Sequence, residues 1–173
     1  MKIYKADINY YNYLHYYETK IPYIENEKQT RPFIGVVLCV NGKNFFAPLT
    51  SPKKKHLNMK NSQDFLKIDY GKLGGINLNN MIPIPRSFLQ EIKIEKIKDF
   101  KYKKVLFMQM SWIEKNKYRI NNRAKNLYYL VVEKKANEEL ISRCCDFKLI
   151  EQKCQEYMDK HHIREEELLY IYK

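Results

Sequence analysis

The chain has 173 residues, with 32 Lys and Arg against 20 Asp and Glu and a formal charge of +12. That length fits one domain, taken as residues 1–173, and so positive a balance makes a polyanion the default partner. No window reaches the roughly 18 apolar residues of a membrane span and the N-terminus has no leader-like apolar run, so a cytoplasmic protein without a membrane partner is expected. The charge is uneven: from Ala136 onward there are 6 basic and 9 acidic residues, leaving 26 and 11 in the first 135. Cys39, Cys144, Cys145 and Cys154 are too few and too clustered for a disulfide framework and lack the paired spacing of a zinc site, so neither metal nor cofactor is expected.

In chain order, residues 2–6 alternate as a short strand. From Asp7, an N-cap residue, to Glu18 the spacing of Tyr10, Tyr13, Leu14 and Tyr17 predicts a helix with an aromatic stripe. Residues 23–30 read as a polar loop. Phe33 to Val40 is a strand apolar enough to be buried on both faces, with Cys39 as a buried thiol. Asn41-Gly42 signals a hairpin whose length Lys43 and Asn44 leave open, and Asn44 to Leu49 is its partner strand. Pro48 and Pro52 cannot donate to a ladder, so the chain leaves the sheet there. Residues 54–63 are polar. Residues 65–69 and 76–78 read as short strands separated by a turn, and 81–85 as an edge or irregular run. Helices are predicted over 99–117 and 121–135, divided near Asn121-Asn122, and over 137–160, where Glu138 and Glu139 occupy the first turn. Residues 168–172 suggest a closing strand. Short strands followed by helices imply an α+β fold with a compact, strongly bent sheet or half-barrel.

The chemistry concentrates where the hairpin ends. Thr50-Ser51-Pro52 is followed at once by Lys53, Lys54, Lys55 and His56, delivering two hydroxyls and a cationic cluster to one edge of the fold. Metal-free RNA cleavage needs the ribose 2′-hydroxyl deprotonated, the phosphorane stabilised and the departing 5′-oxygen protonated. Clustered ammonium groups supply fixed charge for the phosphorane, hydroxyls align the phosphate, and the Arg31 guanidinium can grip it with two hydrogen bonds. Asn77, Asn79 and Asn80 can donate to phosphate or base edges.

Several blocks carry a resemblance: residues 33–38, Asn41-Gly42-Lys43, Phe46 to Lys53 with His56, Ile76-Asn77-Leu78, and Met81-Ile82-Pro83-Ile84. In order and spacing they resemble the ToxN/AbiQ family, endoribonuclease toxins of type III toxin–antitoxin systems. The resemblance implies a MazF/Kid-like, SH3-like bent antiparallel sheet with added helices. It implies metal-independent cleavage to a 2′,3′-cyclic phosphate and 5′-hydroxyl, with Tyr10, Thr50, Ser51 and Lys53 as the catalytic set. It also implies a small repeated RNA antitoxin, folded as a pseudoknot, that the toxin processes and that inhibits it within a closed protein–RNA assembly. Cellular or phage RNA would be the substrate. RNA contacts are expected from Arg31, Lys54, Lys55, His56, Asn79, Asn80, Arg86, Lys115, Lys117, Arg119 and Arg123. Two rival readings are a non-catalytic RNA-binding module and a MazF-like toxin inhibited by a protein.

Overall fold

The predicted hairpin turn is two residues long: Val40 pairs with Lys43, and Asn41 and Gly42 both take positive φ, 50° and 72°. That backbone twist matches the twist of the flanking strands, which is why Asn-Gly is favoured there. The computed structural model describes residues 1–26, 31–60 and 62–163. Their strands are β1 Lys2–Ala6, β2 Phe33–Val40, β3 Lys43–Thr50, β4 Phe65–Lys67, β5 Gly75–Asn77, β6 Ile82–Pro83 and β7 Leu89–Glu91. The helices are α1 Ile8–Tyr17, α2 Lys54–Asn58, α3 Phe100–Lys115, α4 Lys117–Val132, α5 Glu138–Arg143 and α6 Phe147–Lys160. The α+β expectation holds in its coarse form: an open antiparallel sheet, and a second half built of helices.

The sheet runs β4-β5-β3-β2-β1-β7, with β6 also on β3. Strand β3 is its hub. One edge lies along β2, while the other pairs first with β6 at Phe45 and Phe46 and then with β5 at Leu49 and Thr50. The exchange of partners falls between Phe46 and Leu49, where Pro48 has no N–H to give a ladder. Residues 43–49 are all buried and only Thr50 emerges, so the strand carries the chain through the core and releases it at the surface.

The helical half packs over the hairpin. Tyr128 of α4 donates its hydroxyl to Glu151 of α6, and Asn41 Nδ2 reaches the same carboxylate at 2.8 Å. Lys43 Nζ bonds Gln155 at 2.9 Å. Both helices are thereby fastened to the hairpin tip. Burial, then the Glu151 hydrogen bond, push the Tyr128 hydroxyl up to about 12.

Several expectations are corrected. The region read as one helix over 137–160 is two, because Asp146 caps a new helix through Leu149 N at 3.0 Å after the break at Cys144-Cys145. Helices α3 and α4 divide at Asn116, which caps both, and not at Asn121-Asn122. The strand at 65–69 stops at Lys67, since Asp69 begins a tight turn. Residues 54–58 are helical, and Leu89–Glu91 is a strand at the far edge, beside β1. Cys39 is exposed, because β2 emerges from the core at its last two residues. The strand expected at 168–172 lies outside the described residues. No helix among the described residues is long and apolar enough to cross a membrane.

The link between α5 and α6 is stitched to the sheet side. Cys145 N donates to Asn79 O at 2.9 Å, and Asn79 Nδ2 to Arg143 O at 3.2 Å. Arg143 also grips the buried Asp64 carboxylate at 3.0 and 3.3 Å. Burial acts to raise the Asp64 carboxyl, but hydrogen bonds from Arg143, its own backbone and Ser62 outweigh it and hold it below its ordinary value. A depressed carboxylate stabilises the fold above the unfolded value, near pH 4, and this contribution fades as pH falls through the folded value. Arg143→Ala is therefore expected to cost about 1–3 kcal/mol at pH 7. In denaturant titrations the gap from wild type should narrow as the pH drops below roughly 4.

Candidate functional site

The site lies at the end of the hairpin away from its turn. A cleft of about 620 Å³ opens between the start of β2, the end of β3 and the short helix α2. Thr50, Ser51, Lys53, Lys55, His56 and Arg31 all line it. Among the described residues, none that lines it is a carboxylate. Ser51, Lys53, Lys55 and Arg31 are exposed, whereas Thr50 is half-buried, its Oγ1 donating to Ser51 O at 3.3 Å. Lys53 is the N-cap residue of α2 but its side chain makes no cap bond.

Two long-range supports hold the Thr50-Ser51 backbone. Gln109, on α3 and only 2% exposed, donates from Nε2 to Thr50 O at 3.0 Å and to Leu73 O at 2.7 Å. The turn at residues 69–74 presses on the same carbonyl: a Cβ on Gly74 would stand 2.2 Å from Thr50 O, and one on Gly71 would stand 2.4 Å from His56 O. Both glycines have positive φ. The turn can approach so closely only because these positions carry no side chain.

His56 changes character in the fold. Though it reads as part of a charge run, it is 3% exposed, its ring lies 5.3 Å from that of Phe65, and its buried Nδ1 has no hydrogen-bond partner among the described residues. Burial, then Lys55, Lys53 and Lys67, lower its pKa from the usual 6.5, so the ring is neutral at pH 7.

The other expected residues lie elsewhere. Tyr10 is fully buried between Phe88 and Tyr157, and its hydroxyl donates to Pro83 O at 2.5 Å. It is not among the described cleft-lining residues, and its spacing with Leu14 belongs to the core face of α1. Asn79 and Asn80 spend their amides on Arg143 O and Lys20 O. Lys54 is exposed on α2, and the Arg86 guanidinium sits 5.7 Å over the Tyr4 ring. Lys115, Lys117 and Arg119 are exposed around the α3–α4 junction, with Lys117 paired to Glu114 at 3.3 Å. Arg123 donates to the carbonyls of Ser62 and Gln63. Conversely, Lys5, Asn77 and Tyr102 line the cleft. Asn77 is foreseen from its place beside the hairpin, while Lys5 and Tyr102 are not. A polar Gln109 between apolar Leu106 and Ile113 is the sequence signal that a buried amide works there.

The protein is thus of the α+β class, with hydroxyls and cations gathered in a cleft at the open end of an antiparallel sheet, a set whose chemistry suits a phosphate. The chain belongs to the ToxN toxin family of type III toxin–antitoxin systems, whose model matches residues 2–155. It is 31% identical over 170 residues to endoribonuclease ToxN of Bacillus thuringiensis subsp. kurstaki, covering 95% of this chain and 88% of that one. It is 33% identical over 165 residues to endoribonuclease ToxN of Pectobacterium atrosepticum, covering 91% and 94%. One similar solved structure comes from a study of selective toxin inhibition by a non-coding RNA pseudoknot, with TM-score 0.76, 31% identity and 91% and 98% coverage. Another is AbiQ, a lactococcal anti-phage endoribonuclease of a type III system, with TM-score 0.77, 26% identity and 91% and 98% coverage.

Proposed function

We propose that this protein is a metal-independent endoribonuclease toxin of a type III toxin–antitoxin system. The observation that carries the reading is the cleft, which gathers Thr50 and Ser51 with Arg31, Lys53 and Lys55, in a chain of the ToxN family. A ribose 2′-oxygen attacks the adjacent phosphorus and gives up its proton, and the phosphorus–5′-oxygen bond breaks. The 5′-oxygen gains a proton, leaving a 2′,3′-cyclic phosphate and a 5′-hydroxyl. Ser51 and Thr50 hydroxyls donate to the non-bridging oxygens, where charge grows in the transition state. Lys53, Lys55 and Arg31 balance that charge. Tyr10 acts as scaffold in this reading, since its hydroxyl is engaged in the core.

The partner is a small repeated RNA antitoxin folded as a pseudoknot, bound in a closed protein–RNA assembly. Exposed Lys54, Arg86, Lys115 and Arg119 supply cations beyond the cleft for its backbone. Substrate RNA and inhibitor RNA compete for one basic face, so an antitoxin seated there hides the Ser51–Lys53 edge. The bent path of β3, which pairs with three strands, supports reading the sheet as a MazF/Kid-like, SH3-like half-barrel within a single cytoplasmic domain.

The test incubates the purified chain with RNA in EDTA and reads the new ends. Cutting that persists and yields 2′,3′-cyclic phosphate and 5′-hydroxyl ends is expected, as is its silencing by the repeat RNA. Cutting that requires added divalent metal would overturn the mechanism, and RNA binding without cutting would make the protein a binding module.

A further inference from the structure

Helix α3 turns one face to the sheet. Leu106, Gln109 and Ile113 are 1%, 2% and 0% exposed. Tyr102 stands four residues before Leu106 and seven before Gln109, which places it on the same face. Yet it retains 39% exposure and lines the cleft. The face thus runs off the core and out over the site. Gln109 is tied to the Thr50 carbonyl, and Tyr102 lies about 10 Å further toward the helix N-terminus, seven residues at 1.5 Å each. Its backbone is held too, because Asp99 caps the helix by accepting from Tyr102 N at 3.0 Å.

The groups near Ser51 suit a phosphate, but a nucleotide also carries a base. Tyr102 is an aromatic ring in a cleft whose other apolar lining includes Met59 and Phe65, with the Asn77 amide beside them. We propose that Tyr102 is a base-stacking residue: with a phosphate seated at Thr50-Ser51, a neighbouring unpaired nucleobase lies against its ring. The proposal rests on the RNA reading of the cleft and names the substrate class, single-stranded RNA. A base held in a duplex must first break its pairing and leave its stack to reach the ring, so unpaired RNA is favoured. Stacking is tolerant of base identity because every base has a π-face, so Tyr102 supplies grip and register more than sequence choice. Burial raises the Tyr102 hydroxyl above its usual value, which keeps the phenol neutral beside the cations.

The test measures both cleavage and equilibrium binding for short unpaired oligoribonucleotides. One is intact, and the others each lack a single base at successive positions around the cut. Ser51→Ala protein serves for the binding arm. Tyr102→Phe should behave as wild type. Tyr102→Ala should bind and cut the intact strand roughly 5- to 150-fold less well, the range for one base–aromatic stack. On the one strand lacking the stacked base, Tyr102→Ala and wild type should agree within about twofold. Equal performance of Tyr102→Ala on the intact strand would overturn the proposal. So would an undiminished penalty on every base-deleted strand, which would mark a structural role. A chain that binds but never cuts would overturn the nuclease reading alone, since the affinities still decide the stack.

Discussion

Ser51→Ala is expected to cut RNA about 100- to 1,000-fold more slowly than the wild-type chain while melting at the same temperature. Losing one hydrogen-bond donor aimed at developing charge costs about that factor in enzymes that depend on such donors. The fold should not notice. Ser51 is exposed, and the bond it gives the local structure runs through its carbonyl, which accepts from Thr50 Oγ1 and survives in alanine. Exposed substitutions of this kind stay within about 0.5 kcal/mol. Single-turnover cleavage in EDTA and a thermal melt measure the two halves. Cutting and growth arrest that persist in Ser51→Ala would remove this serine from the catalytic set.

Gly74→Ala is expected to damage both quantities. Gly74 has φ +85°, and a Cβ there would come within 2.2 Å of Thr50 O and 3.0 Å of Ser51 C. Left-handed backbone at a non-glycine residue costs about 1–3 kcal/mol, and the clash adds to it unless the Thr50-Ser51 segment moves. A shift of order 1 Å at a reacting group costs about 100-fold in rate. The melt should therefore fall, and cleavage should fall by about 100-fold even well below the melting temperature. Lys72→Ala, exposed on the same turn, should change neither. If Gly74→Ala cuts at the wild-type rate, the turn does not position Ser51.

Residues whose cause and effect lie close in the chain are legible in sequence. Asn41-Gly42 dictates its turn within four residues, and Pro48 and Pro52 mark where β3 leaves the sheet. The cluster from Thr50 to His56, with Arg31, could be read as one site because the hairpin brings strand ends together by its own geometry. Contacts spanning long loops could not be read. Gln109 meets Thr50 across 59 residues, and no local pattern announces which carbonyl a buried amide will find. Tyr10 misleads for the opposite reason: a tyrosine on a helical stripe looks the same in sequence whether its hydroxyl faces a cleft or, as here, a core carbonyl. The α5–α6 break was visible in Asp146, a capping residue before an apolar run, but the surrounding helical periodicity outweighed it.

The exposure of Cys39 has a practical side. The other three cysteines are buried, and burial pushes their thiols up to about 12, 12 and 11 for Cys144, Cys145 and Cys154, so they offer almost no reactive thiolate at neutral pH. Cys39 sits six residues along β2 from Phe33, about 20 Å from the cleft end of the strand. A maleimide dye should therefore attach at one native position, close enough to report RNA arrival by energy transfer and far enough not to block it.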